Sequence, residues 1–142
     1  VDASRIGIWG WSYGGYMASL CITQPTSPFS AAIAVAPVTN WRYYDTIYTE
    51  RYMQLPQENP EGYDANSPIA LASNMKGKFL LIHGTADDNV HFQNSVLLSE
   101  ALIQADKSFE QAYYPNKNHG IYGGNTTFHL YSKMTDFILK NL

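Results

Sequence analysis

The chain has 142 residues, 45% apolar and 15% charged, with a formal net charge of −3. That is the size of one domain with apolar surface for a real core, and it excludes a disordered tail or a basic surface built for nucleic acid or anionic lipid. The single cysteine, Cys21, excludes an internal disulfide and reads as a small buried hydrophobe. No run approaches the about 18 apolar residues of a membrane span.

The first element is "SRIGIWG", Ser4 to Gly10, which reads as a short strand covered on both faces. Gly14 to Thr23 predicts a helix, ended by the breakers of "QPTSP". "FSAAIAVAP" is a second buried strand, closed by Pro37. "TNWRYYDTIYTERYMQLP" has helical aromatic spacing at Tyr44, Tyr48 and Tyr52 and stops before Pro56. "QENPEGYDANSP" reads as a loop, in which Ser67-Pro68 fits a helix cap followed by proline at the first helical position. "GKFLLIHG" is a third strand, "NSVLLSEALIQAD" an amphipathic helix, and "SFEQAYYP" a fourth strand. The loop "NKNHGIYGGN" leads into a closing helix, "TTFHLYSKMTDFILKNL". Strands alternating with helices predict an α/β unit, a mainly parallel sheet flanked by helices, with ligands beyond the carboxyl ends of the strands. Residue 1 is Val and the first strand already carries the candidate site, so the chain reads as part of something longer.

Gly10-Trp11-Ser12-Tyr13-Gly14 fits G-x-S-x-G between a strand and a helix, the setting of a nucleophile elbow. Flanking glycines let neighbouring backbone pass the tight turn, and the serine hydroxyl stands clear near a helix N-terminus that favours a developing anion. The plainer alternative is a glycine-rich turn or a phosphate loop, but neither a Gly-Lys-Ser/Thr ending nor G-x-G-x-x-G spacing is present. A serine nucleophile needs a base, and the fold predicts the chain order serine, acid, histidine, each on a loop after a strand. After the third strand come Asp87 and Asp88, and after the fourth comes His119. Adjacent loop residues point different ways, so only one acid can meet His119; the residues alone lean to Asp87 and leave Asp88 open. His83 ends an apolar strand and reads as a satisfied core histidine, while His91 and His129 read as surface or packing residues. Four scattered histidines and one cysteine lack metal-ligand spacing, and nothing calls for a cofactor. The implied reaction is acyl transfer from Ser12, with His119 as base, Asp87 as its orienter and the Tyr13 backbone N–H as one oxyanion donor.

With these residues placed, the chain resembles the catalytic domain of the prolyl oligopeptidase superfamily, most closely its dipeptidyl peptidase IV branch. "GWSYGGY", "YYDTIYTERYM", "LLIHGTADDNVHFQ" and "HGIYGG" carry the resemblance, which runs over nearly the whole chain. It implies the C-terminal portion of an α/β-hydrolase fold and a serine exopeptidase releasing N-terminal dipeptides with proline, or less well alanine, in second position. It also favours Asp87 as the acid. Its proline pocket falls on Tyr44 and Tyr48, with Val38, Trp41 and Val90 around them, and Asn89 matches a residue that holds the substrate's backbone carbonyl. "PQENPEGYD" is more similar to the bacterial prolyl tripeptidyl aminopeptidases. The other readings are a different acyl hydrolase of the superfamily, and a non-catalytic α/β interaction module. The resemblance further implies that the strands before the elbow and a β-propeller lie outside these residues. The chain alone is then expected to be a weak or silent catalyst. Its "RIGIWG" edge is expected to pair with another copy in a homo-oligomer, to be covered by a rearranged segment, or to aggregate. An extracytoplasmic parent, working on peptides with penultimate proline, is implied as well.

Overall fold

Small and branched apolar residues alternate through Ala31–Val35, and all five are buried, which places this strand inside a sheet. The computed structural model of the protein describes residues 2–142. Strands β1 (Gly7–Trp11), β2 (Ala31–Val35), β3 (Lys78–Gly84) and β4 (Glu110–Tyr114) form one sheet in the order β1-β2-β3-β4, and every neighbouring pair is parallel. Helices α1 (Tyr13–Ile22), α2 (Thr46–Met53), α3 (Pro60–Ala65), α4 (Gln93–Gln104) and α5 (Thr126–Asn141) fill the connections and the C-terminus.

The period of two along the strands divides the core into two layers. Ala31, Ile33, Val35, Leu80 and Ile82 face one way, against Leu130, Met134 and Phe137 of α5. Ala32, Ala34, Phe79 and Leu81 face the other, against Ile22 of α1 and Leu98 and Leu102 of α4. Every βα turn therefore opens at the carboxyl edge of the sheet, where parallel α/β sheets carry their sites.

Several local expectations need correction. The first strand begins at Gly7, and it is not covered on both faces: Trp9 is 54% exposed, and among the described residues the strand pairs only with β2. The helix expected over 39–55 breaks in two. Asn40 Oδ1 accepts from the Arg42 N–H at 2.8 Å and caps a single 3₁₀ turn, Trp41–Tyr43; Tyr44 is then extended. Asp45 Oδ1 accepts from the Tyr48 N–H at 2.8 Å and starts α2 afresh. Short polar side chains compete for backbone donors in this way, so they end and restart helices more readily than they continue them. Tyr44 is consequently not on the helix that carries Tyr48. The expected loop at 57–68 contains α3, capped by Asn59 and opened by Pro60. Ser67 Oγ accepts from the Ile69 N–H at 3.2 Å and donates to the Thr39 carbonyl at 2.7 Å, but turns and one 3₁₀ turn follow rather than an α-helix. Cys21 is unpaired and half-buried, not fully buried.

Candidate active site

Ser12 joins β1 to α1 with φ 58° and ψ −115°, backbone that a serine adopts only under constraint. Its N–H donates to the Val35 carbonyl at 2.8 Å, pinning the turn to the end of β2. Serine at a helix N-cap ordinarily accepts a bond from the first-turn amides. Ser12 makes no such side-chain bond, so its hydroxyl does not serve as the cap. The Tyr13 N–H lies in the first turn, where amides have no intrahelical acceptor and the helix end is partly positive.

The two glycines of the motif are not equivalent. A Cβ on Gly10 would lie 2.3 Å from the Gly14 carbonyl carbon and oxygen, whereas a Cβ on Gly14 meets nothing within 4 Å. Gly10→Ala should therefore destabilise the protein by at least about 3 kcal/mol, because two backbone segments must separate. Gly14→Ala should be neutral or stabilise by up to about 1 kcal/mol through helix propensity. A lowered urea midpoint for Gly10→Ala beside an unchanged or raised one for Gly14→Ala is the expected result.

Asp87 and His119 sit on the loops after β3 and β4. His119 Nδ1 is 2.7 Å from Asp87 Oδ2; the Asp87 side chain is buried, and that of His119 keeps 23% exposure. A buried carboxylate only accepts, so His119 carries its proton on Nδ1 and leaves Nε2 as a lone pair. Asp87 Oδ1 accepts from the Asn89 and Val90 N–H groups at 3.0 and 2.9 Å. Burial by itself pushes the Asp87 carboxyl up. The donors from His119, His83 and the Asn89 amide outweigh it and hold the group well below the usual carboxylate range. Asp88 is exposed, so of the two adjacent acids the structure brings Asp87 to His119.

Two further residues hold the His119 loop. Trp11 Nε1 donates to the His119 carbonyl at 2.9 Å, tying the loop to the strand that carries the elbow. Ile121 is 1% exposed in the core beneath α5 although its φ is 47°, a costly conformation for a β-branched residue that its packing sustains. Among the described residues no hydrogen bond closes Ser12 Oγ onto His119, and such contacts are often loose before substrate binds.

The aromatic residues are drawn together without enclosing one space. Val38, Trp41 and Val90 are buried with Tyr16 and Tyr63, and Tyr44 packs against them. Tyr44 and Tyr48 meet edge to face, with centroids 5.4 Å apart, and Trp41 touches both. The Tyr44 hydroxyl donates to Asn89 Oδ1 at 2.7 Å. Burial first, then the neighbouring Asp45, raises the Tyr44 phenol, which keeps it a donor. A cavity of about 420 Å³ is lined by Tyr13, Trp41 and Tyr48 of the expected set, but also by Tyr16, Tyr52 and Met53. Tyr44 and Asn89 line a separate opening of about 640 Å³ instead. The sequence reading missed Trp11, Tyr16 and Tyr52 as site residues, because aromatic side chains near a turn carry the same signal as core. His83 is buried and fully hydrogen-bonded, as a core histidine should be, but one of its partners is Asp87. His91 and His129 are exposed, and among the described residues no group of three or more His, Cys, Asp or Glu side chains could hold a metal ion.

A parallel sheet with a strained serine after β1, an acid after β3 and a histidine after β4 defines an α/β-hydrolase fold. The model of the prolyl oligopeptidase family matches residues 1–142, and the chain belongs to that family. Over 141 residues it is 49% identical to prolyl endopeptidase FAP of Mus musculus and to dipeptidyl peptidase 4 of Felis catus. Each match covers 97% of this chain and 18% of the relative. The crystal structure of Porphyromonas gingivalis dipeptidyl peptidase 4 superposes on all of this chain with a TM-score of 0.98 and 53% identity. The chain covers 20% of that protein, so it spans about a fifth of the length of the relatives it matches.

Proposed function

We propose that the protein carrying this chain is a serine exopeptidase that releases N-terminal dipeptides with proline, or less readily alanine, in second position. The observation that carries this reading is the 2.7 Å bond from His119 Nδ1 to buried Asp87, which leaves Nε2 free on the same sheet edge as Ser12. In the reaction His119 Nε2 takes the Ser12 Oγ proton as Oγ adds to the carbonyl carbon after proline. The Tyr13 N–H stabilises the oxyanion, and the imidazolium beside Asp87 then gives its proton to the leaving amine. Water repeats these steps on the acyl-enzyme and frees Ser12. The rings of Tyr44 and Tyr48, edge to face with each other and both against Trp41, are rigid aromatic walls that suit a flat pyrrolidine ring.

The same reading assigns a second oxyanion donor to the strands before the elbow, and an acidic anchor for the substrate amino group to the β-propeller, both implied by the resemblance to lie outside these residues. One missing donor alone costs about 10²–10³ in rate, so the 142-residue chain by itself is proposed to be a poor catalyst. A tripeptide product is the second reading. The segment whose sequence differs, residues 56–64, folds in part as α3 and contributes Gly62 to the wall of the aromatic cavity. The parent is proposed to act outside the cytoplasm; among the described residues no helix is long and apolar enough to cross a membrane.

Chromogenic Gly-Pro, Ala-Ala-Pro and N-blocked Gly-Pro substrates, given to the full-length protein, test the reading. Turnover of free Gly-Pro well above the other two is expected. Faster cleavage after Ala-Ala-Pro transfers the assignment to tripeptide release, and equal cleavage of the blocked substrate removes the exopeptidase reading.

A further inference from the structure

Asp87 is held by two imidazoles, and the peptidase mechanism uses only one of them. His83, wholly buried at the end of β3, places Nε2 at 3.1 Å from Asp87 Oδ2 and 2.8 Å from the Val90 carbonyl. Its Nδ1 is 2.7 Å from Ser95 Oγ on α4, itself wholly buried, and the Phe92 ring meets the imidazole edge to face with centroids 5.7 Å apart. A carbonyl oxygen can only accept, so the Nε2 that faces it carries a hydrogen. In the neutral ring Nδ1 then accepts a hydrogen bond from the Ser95 hydroxyl, which fixes the orientation of the ring.

We propose that His83 is a positioning residue for the hydrolytic reaction: its Nε2–H, shared between the Val90 carbonyl and Asp87 Oδ2, keeps that oxygen aimed at His119. The inference rests on the serine-peptidase reading given above. Val90 makes the arrangement closed, because its N–H grips Asp87 Oδ1 while its carbonyl takes the His83 hydrogen. Both carboxylate oxygens then have two donors each, and neither has a free direction in which to rotate. When His119 becomes the imidazolium, a carboxylate already bonded by a second N–H competes poorly for the Nδ1 proton, so charge stays on the imidazole where the mechanism needs it. His83 itself exchanges no proton with substrate.

Two substitutions in the full-length protein separate this role from packing. The glutamine amide of His83→Gln reaches the place of Nε2, whereas that of His83→Asn reaches only the place of Nδ1 and still partners Ser95. On a Gly-Pro chromogenic substrate His83→Gln is expected to keep kcat within about threefold. His83→Asn is expected to lose about 10- to 100-fold in kcat with KM unmoved, the span of one charge-assisted hydrogen bond. Equal kcat in the two variants, or a loss confined to KM, overturns the proposal. Should the asparagine variant not fold, Ser95→Ala replaces it: at least about a threefold loss in kcat with KM unmoved is expected when the ring loses the hydrogen bond that orients it, and unchanged kcat overturns the role. Absence of Ser12-dependent turnover in the unaltered protein removes the peptidase reading and this role with it. Turnover that the His83 variants leave untouched removes the role of His83 alone.

Discussion

Ser12→Ala in the full-length protein is expected to lower kcat for a Gly-Pro chromogenic substrate by about 10⁵–10⁶-fold and to abolish labelling by a fluorophosphonate probe. The size follows from losing covalent catalysis outright, since neither His119 nor the Tyr13 amide can act on a carbonyl that nothing attacks. What makes the test specific to an elbow is the stability of a second variant. Ser12 holds φ 58° and ψ −115°, and strain of this kind costs about 1–3 kcal/mol at a residue bearing a Cβ. Ser12→Ala keeps the Cβ and should leave stability nearly unchanged, because the hydroxyl caps nothing. Ser12→Gly relieves the strain but gives back about 0.5–1 kcal/mol in backbone entropy, so a net gain of about 1 kcal/mol is expected. Inactive variants of which only the glycine form is stabilised fit a nucleophile held under strain. A glycine form less stable than wild type makes Ser12 an ordinary turn residue, because the turn then costs its native serine nothing.

The sheet and the meeting of Asp87 with His119 were legible in the sequence because their signals are local and categorical. β2 and the Phe79–Ile82 stretch of β3 are uninterrupted apolar runs, and the motif Gly10-Trp11-Ser12-Tyr13-Gly14 turns where a strand meets a helix. Asp87 and His119 fall on loops at strand ends, and in a parallel sheet all such loops share one edge. The break at Tyr44 was not legible, since aromatic spacing at 44, 48 and 52 is the same whether the helix is continuous or restarted. Only the competition between Asp45 Oδ1 and a backbone acceptor for the Tyr48 N–H decides it. α3 was signalled by Asn59-Pro60, a cap followed by proline at the first helical position, but composition argued for a loop. The second bond on Asp87 was beyond the sequence for a different reason. His83 looks the same as a core histidine whether its Nε2 meets a carbonyl alone or a carboxylate as well, and a turn through residues 84–90 settles which.

Asp87→Asn is expected to lower kcat about 10⁴-fold at neutral pH, with far less effect on binding. An asparagine can keep one oxygen for the Asn89 and Val90 amides, but its NH₂ then faces both imidazoles. His119 must turn its Nδ1 lone pair toward that donor, which moves its proton to Nε2 and leaves no base for the Ser12 hydroxyl. His83 cannot make the same adjustment, because the Val90 carbonyl still requires a hydrogen on Nε2. One donor therefore opposes another in a buried site, at a cost of about 1–3 kcal/mol. The pH dependence fixes the sign independently. Asp87 is depressed when folded, so its charge contributes stability above the unfolded value of about 3.9, and that contribution is lost as pH falls toward the folded value. Urea midpoints of wild type and Asp87→Asn should then differ by a constant amount from pH 7 to about pH 5, and the gap should close progressively below about pH 4. A gap that stays constant through pH 3, or a kcat within tenfold of wild type, would separate Asp87 from His119 and leave the exposed Asp88 as the acid to test.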